Sequence, residues 1–315
     1  MARKMESKGA RLLAILLALI MIGSVIAIMK PGTQRKTVPE REVIFYFPES
    51  FQELTFQIPS GADHIIYVDF TDSDPQLYSV LKQVVENNRD PVFFHGLPLQ
   101  GINSMMILRY PGVFPEKLYL IDVNKTKVFF THDSEDNYKG FKIKSRQGIS
   151  LVDGTSPFLL GTTHIVVKTL DVITGSENNT LGSEIGNYTK RMPQGRYNLV
   201  KVLRGDAIRQ FMHGNTSFFD FYLEAYRINK TPNGTFYEKV VLMNFIKNGQ
   251  FVSSNKTAYY SYTNFKDGLR IAVMGDTNLT KLMRLLPEMR IIEFHIQPVK
   301  DTTNKTSSKE SRTDS

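Results

Sequence analysis

The 315-residue chain contains no cysteine and no tryptophan. Without thiols it has no disulfide, no thiolate zinc site, no cysteine nucleophile, no redox pair and no lipid-modified N-terminal cysteine. Without tryptophan, a surface dedicated to stacking sugar rings lacks its largest aromatic side chain. No basic run of five or more residues occurs either, so the clustered patch that nucleic-acid binding requires is missing. The six histidines, His64, His95, His132, His164, His213 and His295, show no HExxH or other metal-ligand spacing. His95-Gly96 matches an oxyanion-loop dipeptide, but Gly154-Thr155-Ser156-Pro157-Phe158 lacks the second glycine of a nucleophile elbow. A Ser, His, Asp triad would have to be assembled from unrelated positions.

What the chain does have is asparagine in a particular setting. Nine of its eighteen asparagines begin Asn-X-Ser/Thr triplets: Asn124, Asn178, Asn187, Asn215, Asn229, Asn233, Asn255, Asn278 and Asn304. Ser and Thr fill 45 of 315 positions, so chance would supply roughly two or three such triplets. All nine follow one apolar run, Leu12 to Met29, which carries no charge over eighteen residues. As a helix it would be about 27 Å long, close to the roughly 30 Å hydrocarbon core of a bilayer. The excess of sequons and the run together predict a glycosylated domain held outside the cell by one membrane helix.

Orientation follows from charge and from the sequons. Arg3, Lys4, Lys8 and Arg11 precede the run against the single acid Glu6, which favours a cytoplasmic N-terminus. Lys30, Arg35 and Lys36 follow it, so the one-sided sequons decide. A cleaved signal peptide is the rival reading. Its apolar segment would be shorter, about 7 to 15 residues, with a small-residue cleavage site, of which Val25-Ile26-Ala27 is only an approximation. Net charge is +8, and the first eleven residues carry +3 of it, leaving +5 on the rest. That mild bias favours approach to anionic headgroups or acidic glycans. Dense sequons, a bare anchor and no disulfides point to an archaeal cell surface.

Punctuation divides the chain. Residues 1–11 form a cytoplasmic N-terminus, 12–29 a transmembrane signal-anchor in contact with membrane lipid, 30–41 a Pro- and Gly-containing stalk, and 300–315 a disordered polar tail. Between them the expected fold class is α+β, a mainly antiparallel β ectodomain with two helices covering one face of a sheet. A β-rich lobe spans 42–173, a linker 174–195 and an α+β lobe 196–299. Val43 to Phe47, Leu54 to Ile58, Ile65 to Phe70, Val92 to Phe94, Met106 to Arg109, Leu118 to Val123, Lys127 to Phe130, Phe141 to Ile143 and His164 to Leu170 read as strands from their β-branched and aromatic content. Asp74-Pro75 opens a helix with Leu77, Leu81 and Val84 on one face. Further on, Leu199 to Leu203, Phe218 to Ile228, Tyr237 to Ile246, Leu269 to Met274 and Ile291 to Ile296 read as strands, with helices at Asp206 to His213 and about Thr277 to Leu286. In Phe218 to Ile228 the alternation puts Phe219, Phe221, Leu223 and Ala225 on the core side and Asp220, Tyr222, Glu224 and Tyr226 on the other.

Candidate chemistry is sparse. Asp69, Asp72 and Asp74 in DFTDSDP form the best oxygen-ligand cluster, a partial set for a structural calcium, which takes six to eight oxygens at about 2.3 to 2.6 Å. His132, Asp133, Glu135 and Asp136 form the next. Each competes with a plainer role, because an Asp where a strand ends and a helix begins is a helix cap. Gly205-Asp206 and Gly275-Asp276 repeat that placement. Tyr259, Tyr260 and Tyr262 make an aromatic stripe suited to a strand. The expected function is a membrane-anchored, N-glycosylated surface protein that binds an envelope protein or a glycan without catalysis. An anchored ecto-enzyme, or a calcium-binding domain using the Asp69 to Asp74 turn, is the alternative. A histidine and carboxylates converging in one pocket would favour the enzyme; acids dispersed as caps would favour the binding protein.

Overall fold

A computed structural model describes residues 42–95, 101–123, 128–211, 218–231, 234–246 and 249–291. The expected anchor, stalk and tail, the sequons at Asn124, Asn215, Asn233 and Asn304, and His213 and His295 lie outside the described residues. Among those described, no helix is long and apolar enough to cross a membrane.

The fold is mostly antiparallel β-sheet with a few helices. In chain order the first part runs β1 (Phe45–Tyr46), α1 (Phe51–Leu54), β2 (His64–Asp69), α2 (Pro75–Asn88), α3 (Pro91–Phe94), β3 (Ile102–Tyr110), β4 (Glu116–Val123), β5 (Ser134–Tyr138), β6 (Phe141–Arg146), β7 (Ile149–Val152), β8 (Thr155–Ser156), β9 (Phe158–Thr162) and α4 (Thr163–Ile173). It continues through α5 (Leu181–Thr189), β10 (Leu199–Arg204), α6 (Asp206–Phe211), β11 (Phe219–Thr231), β12 (Gly234–Phe245), β13 (Gly249–Phe251), β14 (Tyr259–Asn264), β15 (Leu269–Asp276), α7 (Leu279–Arg284) and β16 (Met289–Ile291). Twelve strands form one sheet, in the order β14-β15-β12-β11-β10-β2-β3-β4-β9-β7-β6-β5. The β2 to β10 pairing, with Tyr67 opposite Val200, joins the two expected lobes into that sheet. The segment expected as their linker contains α5, whose Leu181 and Ile185 are buried in the core.

Both faces of the sheet are covered, which corrects the expectation of two helices on one face. Buried residues of α1, α4 and α5 pack on one face with Ile65, Tyr67, Met106, Leu108, Leu118 and Leu120. Those of α2, α3, α6 and α7 pack on the other with Ile66, Val68, Met105, Ile107, Tyr119 and Ile121. The central strands therefore read as unbroken apolar runs, as strands buried on both sides do. The same cause corrects the outer face expected for β11. Tyr222 and Tyr226 are buried there, and both hydroxyls donate to Glu224 Oε2, at 3.0 and 3.2 Å. Lys239, 1% exposed, lies 3.3 Å from the same oxygen and donates to the Leu285 carbonyl at 2.9 Å. Burial pushes the Glu224 pKa up, but the charges of Lys239 and Lys201 and the Tyr222 hydroxyl bond outweigh it and hold the carboxyl below its ordinary range.

Three expected strands are helical. Ser50 caps α1 through the Glu53 N–H at 3.2 Å, and a 3₁₀ turn at Thr55–Gln57 follows, so Leu54 to Ile58 is not a strand. Asp90 accepts the Val92 N–H at 3.0 Å and Pro91 follows it, the same signature as Asp74-Pro75, so Val92 to Phe94 belongs to α3. In α4 the buried Ile165, Val166, Thr169, Leu170 and Val172 follow helical spacing despite β-branched content. Of the expected Lys127 to Phe130 strand, Val128 to Phe130 lies in no strand.

Strand registers sort the connections into two ends. Asp69 is level with Ser104 at the start of β3, and Ile102 with Val123 at the end of β4. Leu199 at the start of β10 faces Tyr226 late in β11, and Tyr237 faces Asp276 at the end of β15. All of these belong to the Asp69 end. His64, Arg109, the β3–β4 turn and Arg204 belong to the opposite one.

Candidate functional site

A cleft of about 530 Å³ opens at the Asp69 end, between β1 and the ends of β2, β3 and β4. Its polar lining is set by local geometry. Asp69, the last residue of β2, is fully buried. Its Oδ1 accepts the Thr71 N–H at 2.9 Å, and its Oδ2 accepts Arg196 Nε at 2.5 Å. Arg196 also donates to Thr71 Oγ1 at 3.2 Å. Asn198 Nδ2 donates to the Asp69 and Thr71 carbonyls, at 3.2 and 2.9 Å, tying this turn to the start of β10. Across the cleft Asn103 Nδ2 donates to Asp122 Oδ2 at 3.0 Å. Tyr67 OH donates to the Glu49 carbonyl at 3.2 Å. Burial, then the Asp69 charge, raise the Tyr67 pKa, so the phenol stays protonated and serves as a donor rather than a base. Tyr46, 72% exposed, forms an aromatic lip. The carboxylates of Glu49 and Asp122 supply acceptors beside the Asp69–Arg196 pair, an arrangement suited to a polar ligand.

The structure does not bring Asp69, Asp72 and Asp74 together as a ligand set. Asp69 is held by Arg196. Asp72 is exposed, with its backbone at φ 58°, where Asp is one of the few tolerated residues. Asp74 caps α2, its Oδ1 accepting the Leu77 N–H at 2.8 Å, while its Oδ2 accepts the Tyr237 hydroxyl. Among the described residues no group of three or more His, Asp or Glu side chains is placed to hold a metal ion. In the second acidic cluster Glu135 is 2.8 Å from Lys142 Nζ and 3.7 Å from His132 Nε2. The Lys142 hydrogen bond, foremost, lowers the Glu135 pKa. Asp276 binds Lys281 Nζ at 2.6 Å and the Asn278 N–H at 3.0 Å. Asp206 opens α6 and pairs with Arg209. None of the described histidines lines the cleft: His95, His132 and His164 are exposed, His164 2.9 Å from Glu116, and His64 lies at the far end of β2. Tyr259 and Tyr262 are exposed on the edge strand β14.

The described sequon asparagines share a surface property. Asn178, Asn187, Asn229, Asn255 and Asn278 are all exposed, and no Nδ2 of theirs donates to a described residue. Of the other described asparagines, Asn88, Asn103, Asn198, Asn244 and Asn264 each donate from Nδ2, while the exposed Asn87, Asn137 and Asn179 share the sequon residues' property. Asn278 caps α7 through Oδ1, accepting the Lys281 N–H at 2.9 Å, and leaves Nδ2 outward. Asn187, within the expected 174–195 linker, lies in α5, and its sequon hydroxyl, Thr189, is buried and bonded to the Gly186 carbonyl at 3.4 Å.

Sequence reasoning named Asp69 but missed Arg196, which precedes β10 by three residues and carries no local signal. The two are 127 residues apart.

Comparison with known proteins gives three likenesses. The family model AF_2048_N, the family's N-terminal domain, matches residues 47–174. That span includes every cleft residue from Phe47 to Pro157, while Arg196 comes from beyond it. An uncharacterized protein of Archaeoglobus fulgidus is 34% identical over 304 residues, covering 92% of this chain and 95% of that one. The crystal form I structure of TP0453 aligns with a TM-score of 0.41 at 8% identity, over 70% of this chain and 91% of that one, a likeness that carries no argument.

Proposed function

From the premise that this chain belongs to the family of the Archaeoglobus fulgidus protein, which it matches over nearly its whole length, we propose that it is a membrane-anchored, N-glycosylated surface protein that binds without catalysis. The observation that carries this reading is the excess of sequons, nine of them, all following one charge-free apolar run. A glycan is attached at Nδ2, and the five described sequon asparagines are exposed with no Nδ2 bond to a described residue, which leaves each able to carry one. The apolar run at residues 12–29 supplies the anchor. The cleft at the Asp69 end is the docking site for an envelope protein or a glycan. Asp69 and Arg196 hold each other there, and no described histidine stands beside its carboxylates, as acid–base chemistry at neutral pH would favour. An ecto-enzyme or calcium site built on Asp69, Asp72 and Asp74 would need those carboxylates to converge, and they serve three different ends.

Protease added to intact cells tests the topology. Loss of the domain with survival of a small N-terminal remnant is expected. Full protection of the chain in sealed cells contradicts the proposal.

A further inference from the structure

The turn between β3 and β4, Pro111-Gly112-Val113-Phe114-Pro115, carries the most exposed apolar side chains among the described residues. Val113 is 93% exposed and Phe114 87%. Its base is firm. Tyr110 faces Glu116 across the hairpin, and the buried Tyr110 hydroxyl donates to the Pro59 carbonyl at 3.2 Å. Two prolines bracket the tip and restrict its backbone. A third exposed apolar residue, Val92 of α3, is brought to the same end, because Asp90, which caps α3, holds Lys117 Nζ at 2.6 Å. Adjacent Val and Phe side chains held out on a rigid hairpin are not covered by the protein's own fold, and such a protrusion marks a contact with another phase or partner.

We propose that this tip inserts into the outer surface of the lipid bilayer in which the chain is anchored. The inference rests on the anchored reading above. Residues 30–41 separate the apolar run from the described domain, and twelve extended residues span at most about 40 Å. β3, with nine residues, is roughly 30 Å long. The described residues begin at the Asp69 end, where Phe45 pairs with Thr155 beside the cleft, and a span of that length lets the opposite end reach the membrane. Asn178, next to Asn179 whose carbonyl accepts the Ser60 N–H, lies at the Tyr110 end, while Asn229 and Asn278 stand at the Asp69 end, away from the tip. Glycans there stay in water when the tip enters lipid. The charged side chains nearest the hairpin, Arg109, Lys117 and Glu116, are paired with Asp63, Asp90 and His164, so apolar insertion rather than charge attraction is the force expected.

Because the chain has no tryptophan, Phe114→Trp installs a single reporter at the tip. The full-length variant is reconstituted in phosphatidylglycerol–phosphatidylcholine vesicles and recovered by flotation, with Tyr46→Trp, at the Asp69 end, as the companion. The expected result is blue-shifted emission from Phe114→Trp, loss of acrylamide quenching and quenching by brominated lipid, with the reverse pattern for Tyr46→Trp. Flotation with fully aqueous Phe114→Trp emission overturns the insertion while leaving the anchor intact. A blue shift quenched by neither agent overturns it in favour of a protein contact. Failure to float at all overturns the anchored reading and this inference with it. Val113→Asp/Phe114→Asp, changed only at exposed positions, should still float and lose the protection of the neighbouring backbone from protease.

Discussion

At Asp74 one carboxylate holds two elements. Oδ1 caps α2, and Oδ2 accepts the hydroxyl of Tyr237 on β12. Asp74→Ala should cost about 0.5 to 2 kcal/mol for the cap alone. Asp74→Ser keeps an acceptor for the Leu77 N–H but gives up Tyr237. Asp74→Ser and Tyr237→Phe should therefore each destabilise, and the double variant should cost less than their sum, as denaturant titration of all three will show. His64 gives a pH dependence. Burial, then the charge of Arg109, lower its pKa from the ordinary 6.5, so the unfolded chain takes up a proton first as pH falls. Stability should decline from about pH 6.5 downward until the folded imidazole is also protonated, and His64→Asn should flatten that slope. The cap at Asp74 was legible because a cap and its helix are adjacent in sequence. Arg196 and Tyr237 were not, because their partners lie 127 and 163 residues away.

Among elements, those decided by local rules and those decided by packing part company. Asp-Pro before an apolar face announced α2; the same pair at Asp90-Pro91 opens α3, where Val92 and the two phenylalanines after it gave the expectation of a strand instead. Ile165, Val166 and Val167 favour a strand by shape, yet α4 forms because its buried positions meet the sheet at helical spacing. The alternation in β11 located the strand and misjudged its second face, since no local signal says that α7 and the Leu285 carbonyl will cover Glu224 and Lys239. Glycine marks one packing limit sharply. A Cβ on Gly161 in β9 would stand 2.6 Å from the Lys117 carbonyl oxygen and 3.2 Å from Leu118 Cα, both main-chain atoms in the neighbouring strand. Gly161→Ala should cost about 1 to 3 kcal/mol. Gly154→Ala, whose nearest neighbour would be the Ile44 side chain at 3.5 Å, should be close to silent by the same measurement.

For the whole molecule, the two lobes expected from sequence share one twelve-stranded sheet through the β2–β10 pairing. Thermal unfolding of the domain should accordingly give one cooperative transition by both far-ultraviolet circular dichroism and calorimetry, and two separate transitions would mean that this pairing does not couple the lobes. The composition-level features that spoke of location, sequons and an apolar run, were fully visible in sequence because each is a short contiguous pattern. The cleft was not, since its walls come from residues 46 to 196 and meet only in the fold. The central claim is that this domain faces outward and carries glycans, and intact glycopeptide mass spectrometry on the protein purified from its native membranes tests it most directly. Peptides containing Asn178, Asn229 and Asn255 should carry glycan at Nδ2, with Asn187 modified only if transfer precedes the folding of α5. Recovery of all the described sequon peptides without any added sugar would contradict the account.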